Sequence, residues 1–365
     1  MFQSDDWGRV GVRDGEGFEQ LRAAGLALGE SPYDLYTLET ADDVSALNAT
    51  LKKHRDSAGR HPCFEMNFVL GNLDFGRMEA EGWQRIHILP LADGLPLGWM
   101  RSGLSETYRS GIEDGVFHPA LHGMSHFCRS EVEKNVAAAG ERAALLRTLW
   151  QAGTPYIHWR MPWIGYEYWA PENRPDERFL TEDAQKRLIG ETVGAFARMF
   201  GTLPRSACAP GYRANEDTVR AWAQHGVRVA QNGPGTLTPP YLDGNEVLQL
   251  FRTIEFEPAV QKTFSIEACL RAAESCFSEG IPAIVSVHSI NFHSSLRDFR
   301  TQTLEQLDAF LGALETKYSE LLYLHDAELH ELVQNGSCVT RNGAVQVEVL
   351  KKRFRKAEPV GKKVV

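Results

Sequence analysis

Short apolar runs alternate along this chain with segments in which apolar residues recur at helical spacing. Seven runs have the length of buried strands, at residues 2–4, 63–70, 85–90, 206–209, 227–231, 283–288 and 320–325. Four stretches place apolar residues along one helical face, at residues 183–200, 215–225, 265–279 and 303–318. The last of these opens with capping-box spacing between Thr303 and Gln306. Alternation of strand and helix without an internal repeat favours parallel βα units.

An open doubly wound sheet and a closed βα barrel both fit this alternation. The polar residues at the ends of the apolar runs help to distinguish the two folds. Asp5-Asp6, His288 and His325 each follow an apolar run directly, which places them at the carboxyl end of a strand. βα barrels assemble their sites at that end. We therefore predict an α/β fold, a distorted (β/α) barrel of about seven strands.

Two segments depart from the alternation. Residues 154–180 are rich in aromatic residues and proline, and we predict an insertion there rather than a regular helix. Beyond residue 335, alternating valines follow Asn342-Gly343, which predicts a small C-terminal β-hairpin, and a basic tail completes residues 336–365. Residues 1–335 are expected to form the barrel domain, and no linker requires a second one.

Composition and charge narrow the class of protein. The chain has 365 residues, of which 43% are apolar and 24% charged, enough to fill a core. A net charge of -9 argues against a nucleic-acid partner, which needs a basic face. Six scattered cysteines without a CxxC pair are expected to be free thiols. Neither a signal-peptide pattern nor a long apolar stretch occurs, so we expect a cytoplasmic protein without a membrane span.

Two groups of residues have the chemistry of metal ligands. His122 and His126 are four residues apart, so both imidazoles can reach one ion if the segment is helical. Asp5 and Asp6 follow the first strand, where neighbouring side chains diverge, so that one carboxylate can bind a metal while the other acts as a base. A surface histidine pair and an acidic turn are the ordinary alternatives for these two patterns.

Two further segments carry groups suited to acyl transfer. The strand at 206–209 runs into Pro210-Gly211-Tyr212, and a tight turn there would point backbone N–H groups outward, as an oxyanion site requires. His288 ends a strand, and an imidazole with a pKa near 6.5 is suited to proton transfer. The alternatives are an ordinary strand-to-helix loop and a histidine satisfied by local hydrogen bonds.

The four signals, taken in their order along the chain, resemble the polysaccharide deacetylase family, also called carbohydrate esterase family 4. The resemblance extends from about residue 1 to 335 and is strongest in Asp5-Asp6, 122–126, 206–231 and 280–292. It implies a hydrolase that removes an acetyl or similar acyl group from a saccharide by attack of a metal-bound water.

The resemblance implies a role for each matched residue. Asp6, His122 and His126 would bind one divalent ion, with Zn²⁺ expected and Co²⁺, Fe²⁺, Mn²⁺ or Ni²⁺ as alternatives. In the same way, Asp5 would be the general base and His288 the general acid.

For the remaining contacts, a backbone N–H of Gly211 or Tyr212 would bind the oxyanion. A small molecule or an oligosaccharide is the expected substrate, and the side chains expected to contact it are Trp7, Trp159, Trp163, Arg213 and Asn291.

Two family features are missing from their usual places. The arginine that normally stands two residues before the proline of the third motif is replaced by Cys208. Its candidate substitutes are Arg9, Arg205 and Arg213. The Asp-Trp motif that supports the acid histidine is also absent between 231 and 280, and its candidate substitutes are Asp298 and Asp326. His293 and His325 are expected at the mouth of the site. His118 is expected in a loop, with a supporting place beside the metal ligands as the alternative.

Two other functions compete with a deacetylase. A catalytically impaired saccharide-binding protein on the same fold is motivated by Cys208. A hydrolase of non-peptide C–N bonds in small amides is the other, since related barrels attack such bonds.

Overall fold

The computed structural model describes residues 1–235, 237–340 and 343–346. Its strands form a nine-stranded sheet and two sheets of two strands each. The strands are β1 (Phe2–Trp7), β2 (Phe64–Phe68), β3 (Gly71–Leu73), β4 (Ile88–Pro90), β5 (Phe117–Leu121), β6 (Ser206–Cys208), β7 (Val229–Asn232), β8 (Tyr241–Leu242), β9 (Leu248–Phe251), β10 (Ile254–Glu255), β11 (Val285–His288), β12 (Ser337–Thr340) and β13 (Gly343–Gln346).

Eleven α-helices occur within the described residues. They are α1 (Gly15–Ala23), α2 (Ala41–Leu51), α3 (Phe75–Ala80), α4 (Leu104–Asp114), α5 (Arg129–Ala137), α6 (Glu141–Gln151), α7 (Glu182–Phe200), α8 (Glu216–Gln224), α9 (Ile266–Ser278), α10 (Arg300–Lys317) and α11 (Asp326–Asn335). Several begin at a polar side chain that accepts from the first turn, as Thr40 does for α2 and Asn215 for α8.

The large sheet is ordered β10-β11-β1-β2-β5-β6-β7-β9-β8. Every neighbouring pair is parallel except β8 with β9. Strand β1 lies inside the sheet and all six of its residues are buried. Because the parallel strands run the same way, the side chains at their carboxyl ends meet at one edge, where α/β proteins place their sites.

The two sides of this sheet are joined by the chain itself. Strand β9 ends at Phe251 and β10 begins at Ile254, so only Arg252 and Thr253 separate them. Yet β9 pairs with β7 while β10 pairs with β11, at the other end of the strand order. This link draws the two ends of the sheet towards each other. The α/β class with a mostly parallel sheet is confirmed, whereas a closed barrel of about seven strands stays a prediction.

Six of the seven predicted strands contain an observed strand, and one is wrong. Residues 321–325 form no strand, because their backbone is held by a side chain rather than by a neighbouring strand: the Tyr323 N–H donates to Asp56 Oδ2 (2.8 Å). Strands β3, β5, β8, β9 and β10 were not predicted. Pro119 interrupts β5, and each of the others is at most four residues long.

All four predicted helices occur, as α7, α8, α9 and α10. The predicted capping box of the last is wrong, because the helix begins three residues earlier and Thr303 lies buried within it. Residues 154–180 contain three short 3-10 helices and no α-helix. Strands β12 and β13 pair antiparallel as the predicted hairpin requires, while Asn342 and residues 347–365 lie outside the described residues.

The six cysteines are all free and buried, as expected. Among the described residues, we find no helix that combines the length and the apolar character needed to cross a bilayer.

Candidate active site

The predicted site residues meet at the carboxyl edge of the large sheet. Asp5 and Asp6 lie near the end of β1, His122 follows β5 directly, Gly211 follows β6, and His288 ends β11. These residues line one cavity of about 320 Å³. The prediction that residues far apart in the chain converge at one edge of a parallel sheet therefore agrees with the geometry.

Asp6 faces both imidazoles of the His122–His126 pair. Its Oδ1 lies 3.6 Å from His122 Nε2 and 3.3 Å from His126 Nε2, and it is buried without a hydrogen-bond partner among the described residues. One carboxylate oxygen and two imidazole nitrogens at this spacing could hold one divalent ion with open coordination positions. The structure thus brings together the three residues predicted to bind the metal.

The backbone of Asp6 is strained, and its neighbours hold it there. Its φ of 75° lies in the left-handed region, which costs a residue with a side chain roughly 1–3 kcal/mol. The Tyr36 hydroxyl donates to the Asp6 carbonyl oxygen (2.7 Å), and the Arg9 guanidinium lies 3.2 Å from Asp6 Oδ2. The turned backbone sends the two adjacent carboxylates in different directions, as the sequence predicted.

The segment from His122 to His126 is a loop between β5 and α5, so helical spacing is not what brings the two imidazoles together. The two histidines are oriented by other contacts. His122 Nδ1 donates to the Cys208 carbonyl oxygen (2.9 Å), which leaves Nε2 as the free ligand atom. His126 Nδ1 lies 3.4 Å from His158 Nδ1, so a hydrogen bond between the rings also leaves His126 Nε2 free.

Glu167 fixes the loop between the two histidines. This carboxylate comes from the predicted insertion and is fully buried. Its Oε1 accepts from the backbone N–H groups of Met124 (2.8 Å) and Ser125 (3.2 Å). Burial raises the pKa of Glu167 to about 7, against the opposing effect of Arg129.

Asp5 forms a buried two-pronged ion pair with Arg252. The guanidinium donates from Nη1 to Oδ2 and from Nη2 to Oδ1, each over 2.6 Å, and Asn67 donates to Oδ1 over 2.7 Å. Burial alone would raise the pKa of Asp5, but Arg252 and His122 outweigh it and hold that pKa well below its usual range. Asp5 is therefore an ionised carboxylate with a fixed orientation.

The arginine that pairs with Asp5 is Arg252, which was not among the candidates proposed from the sequence. Its Nη2 lies 3.5 Å from Cys208 Sγ, so it occupies the space beside the residue that replaced the arginine. Of the three candidates proposed from the sequence, Arg9 pairs with Asp6, and neither Arg205 nor Arg213 contacts Asp5 among the described residues. The arginine beside Asp5 therefore comes from the link that follows β9, a strand that was not predicted, and not from the end of β6.

The carboxylate that contacts His288 is Glu257. The expectation that Asp298 or Asp326 would support this histidine is therefore wrong. His288 Nδ1 lies 2.6 Å from Glu257 Oε1, and Asn291 donates to the second oxygen of Glu257 (2.6 Å). Asp298 caps the start of α10 by accepting from Thr301, and Asp326 lies under the sheet, bonded to Gln3.

The environment of His288 keeps it protonated at neutral pH. Burial would lower the pKa of His288, but Glu257 and Asp5 outweigh it and raise the pKa to about 9. Its Nε2 lies 3.9 Å from Asp5 Oδ2. A cationic acid therefore stands beside an anionic base at the cavity.

The turn after Pro210 narrows the choice of oxyanion donor. Gly211 and Tyr212 both have positive φ, 59° and 57°. The Tyr212 N–H donates to the Ala209 carbonyl oxygen (2.8 Å), so this group is engaged within the turn. Gly211 is then the better placed of the two, and both residues line the cavity.

Of the five predicted substrate contacts, only Trp159 lines the cavity. Trp7 is fully buried, stacks on Phe292 and donates to Ser4 Oγ, so it belongs to the core. The other three lie outside the cavity wall: Trp163 packs under Arg142, Arg213 lies over Trp169, and Asn291 holds Glu257.

Three histidines also lie away from their predicted positions. His293 is buried behind the site, edge-on to Tyr36. His118 and His325 stack on each other at the amino-terminal end of the sheet, so they are neither beside the metal ligands nor at the mouth. The sequence positions alone could not show this, because His118 lies near the start of β5 rather than its end.

The cavity wall is more aromatic and more cationic than expected. Arg9, considered from the sequence only as a partner for Asp5, lies in the wall, and the wall residues that the sequence had not indicated include Tyr33, Tyr36, Tyr156, His158 and Tyr166. The Arg9 guanidinium lies over the Tyr36 ring at 3.9 Å. The aromatic content of 154–180 was a usable signal for Tyr156, His158 and Tyr166, whereas no local pattern marks Tyr36, which enters from the loop before α2.

Comparison with known proteins finds solved structures but no sequence relatives. No family model matches the chain, and no curated protein matches it. A structure described as a polysaccharide deacetylase from Pseudomonas aeruginosa PAO1 is 12% identical over 92% of this chain and 91% of its own, with a TM-score of 0.48. One from Mycobacterium smegmatis, described in the same words, is 11% identical over 90% and 89%, with a TM-score of 0.46.

A CE4 family pseudoenzyme from Bacillus anthracis is 11% identical over 87% of this chain and 60% of its own, with a TM-score of 0.33. The first two of these structures carry the name of the family that the ordered motifs resemble.

We predict that Arg252→Met lowers the free energy of unfolding by about 3–5 kcal/mol, because it leaves the Asp5 carboxylate buried and unpaired. Urea denaturation at pH 7 measures this loss. Arg213→Met removes an arginine that lies over Trp169 and should cost less than about 1 kcal/mol. Adding Asp5→Asn should restore part of the stability of Arg252→Met. Equal losses from both arginine variants would contradict the role of the Asp5–Arg252 pair.

The raised pKa of Glu167 predicts a pH-dependent penalty. Between the unfolded pKa near 4.5 and the folded pKa of about 7, the unfolded chain has lost a proton that the folded chain keeps. Stability therefore falls as pH rises through this window, by about 1.4 kcal/mol per pH unit at most. Glu167→Gln should remove this decline, so its stability relative to the unaltered chain should increase between pH 5 and pH 8. A difference independent of pH, measured by urea denaturation with a chelator present, would disprove it.

Proposed function

We propose that this protein is a metal-dependent hydrolase that removes an acetyl or similar small acyl group from a saccharide. The observation that carries the proposal is the separation of two adjacent carboxylates, Asp6 towards two imidazoles and Asp5 towards Arg252 and His288. Chemistry of this class needs a metal ligand and a proton acceptor side by side, and one strained strand end supplies both. A distorted barrel of about seven strands is part of the proposal.

Asp6, His122 and His126 are the residues that would hold the metal. The Asp6 Oδ1 atom, buried and without a hydrogen-bond donor among the described residues, supports this assignment, since burying a polar atom without a partner is costly. Two nitrogens and one oxygen suit Zn²⁺, and also Fe²⁺ or Co²⁺. When bound, such an ion lowers the pKa of water and polarises the carbonyl of the acyl group.

Asp5 and His288 would exchange the protons. Asp5 is ionised and can take a proton from the attacking water, while Arg252 and Asn67 keep its oxygens in place. His288 carries a proton at neutral pH and can give it to the departing amine or hydroxyl, while Glu257 holds its Nδ1. The N–H of Gly211 would stabilise the negative oxygen that forms on the acyl carbon.

The size and walls of the cavity favour a small substrate. Its volume of about 320 Å³ is at the low end of the range for small-molecule pockets, roughly 300–1,000 Å³. Tyr33, Tyr156 and Trp159 present aromatic surfaces on which a sugar ring can pack. These features suit a short saccharide better than a polymer, and they equally suit a small non-sugar amide, which is our second candidate.

The alternative of a catalytically impaired saccharide-binding protein loses the observation that suggested it. Cys208 suggested that the base had lost its arginine, but Arg252 makes the same kind of contact with Asp5 from another strand. Residues of this chain are therefore available for all four polar roles that the proposal needs: metal ligands, general base, general acid and oxyanion donor.

The deciding experiment measures product release. The purified chain, loaded with Zn²⁺ or Co²⁺, is incubated with N-acetylated mono- and oligosaccharides, O-acetylated sugars, cyclic ureides and formamides. We expect acetate release from a saccharide, and a loss of at least about 100-fold in kcat for Asp5→Asn. Hydrolysis of ureides or formamides alone would favour the second candidate. Saccharide binding without release, unchanged by Asp5→Asn, would disprove the enzyme.

We predict that elemental analysis finds metal at the Asp6 site and that His122→Ala loses one equivalent of it. The matched control is His87→Asn, which alters a histidine paired with Glu81 at the surface. That control should keep the metal content of the unaltered chain. Unchanged metal content in His122→Ala would contradict the assignment of the ligands.

The elevated pKa of His288 predicts a broad pH optimum. Activity should persist up to about pH 9, because the acid must be protonated, and should fall above it. Glu257→Gln removes the charge that raises this pKa, so the falling limb of kcat/KM should move to lower pH by roughly 1–2 units. Glu255→Gln, at an exposed position on β10, is the matched control and should leave the limb in place. A limb that does not move in Glu257→Gln would refute this role.

A further inference from the structure

A second group of side chains that could hold a metal ion lies at the opposite end of the large sheet from the cavity. Glu65 and His118 are register partners near the amino-terminal ends of β2 and β5, and His325 immediately precedes α11. One ligand atom from each of the three lies within 4.8 Å of the other two. None of these residues takes part in the proposed reaction.

The geometry of this group is that of an open site with a buried anchor. His118 Nδ1 lies 3.0 Å from Glu65 Oε1, and the rings of His118 and His325 stack with centroids 4.2 Å apart. The Glu65 side chain is 1% exposed, whereas those of His118 and His325 are 27% and 23% exposed. The carboxylate is therefore fixed inside while both imidazoles are reachable from solvent.

The charges around the group favour a cation. The backbone N–H of Asp326 lies 3.4 Å from Glu65 Oε2, and Glu328 lies 3.7 Å from His325 Nε2. The nearest arginine, Arg60, is already paired with Asp56 and lies 3.6 Å from Glu328.

We propose that Glu65, His118 and His325 form a second divalent-metal site, selective for ions such as Zn²⁺, Ni²⁺ or Cu²⁺ that accept two imidazoles and a carboxylate. The stacked rings are only 10° from parallel, so one ring turns when the ion binds. The ion connects β2, β5 and the start of α11. Its role is structural, because it fastens the end of the sheet farthest from the chemistry.

The experiment counts metal ions in the full chain. Protein stripped with a chelator is dialysed against micromolar Zn²⁺ and analysed for zinc. We expect two equivalents in the unaltered chain, one in His122→Ala, one in His325→Asn and none in the double variant. His87→Asn should keep two. Asn at position 325 can still cap α11, so loss of zinc in His325→Asn would not arise from loss of the cap.

A second measurement, the shift of Tm on adding Zn²⁺, shows whether a variant that has lost zinc is still folded. In the His122→Ala background, Zn²⁺ at about 100 times its Kd should raise Tm by roughly 5 °C, and Glu65→Gln or His325→Asn should abolish the shift. Zinc contents in Glu65→Gln and His325→Asn equal to that of the unaltered chain would overturn the proposal. A total of one equivalent in the unaltered chain, kept in His122→Ala and absent from Glu65→Gln, would instead support this site while removing the metal from the proposed reaction.

Discussion

The buried pair of Asp5 and Arg252 is the interaction on which the site depends. Arg252 occupies the two-residue link between β9 and β10, and its guanidinium also reaches Gln3, Gln231 and Ser286 on three other strands. The side chain is fully buried, so its charge must be matched inside the protein. A single arginine thus orients the proposed base and connects strands from both halves of the sheet.

Asp6 contributes the second constraint. A regular strand would alternate the two carboxylates to opposite faces and send one of them away from the cavity. The left-handed backbone at Asp6 keeps both carboxylates at the cavity but separates their partners. Tyr36 and Arg9 hold this conformation, and neither residue belongs to the motifs that marked the site in the sequence.

The sequence located site residues where a polar residue follows a strand that forms, and it failed at His325, whose predicted strand does not form. Asp5, Asp6, His122, His126 and His288 all reach one cavity because apolar runs and parallel strands locate them. Residues that act by supporting others were missed. Arg252 and Glu257 come from short strands and the loops that follow them, and their partners are distant in the chain. Ion pairs of this kind follow from three-dimensional packing, which no local spacing encodes.

Because it contains Glu167, the segment 154–180 has a second structural role. The same excursion that supplies Tyr156, His158 and Trp159 to the cavity wall also anchors the backbone between His122 and His126. A designer who exchanged this segment to alter which molecules enter would therefore disturb the imidazoles as well. The choice of substrate and the positions of the two imidazoles therefore depend on the same segment. Any replacement for 154–180 would have to retain a carboxylate at position 167.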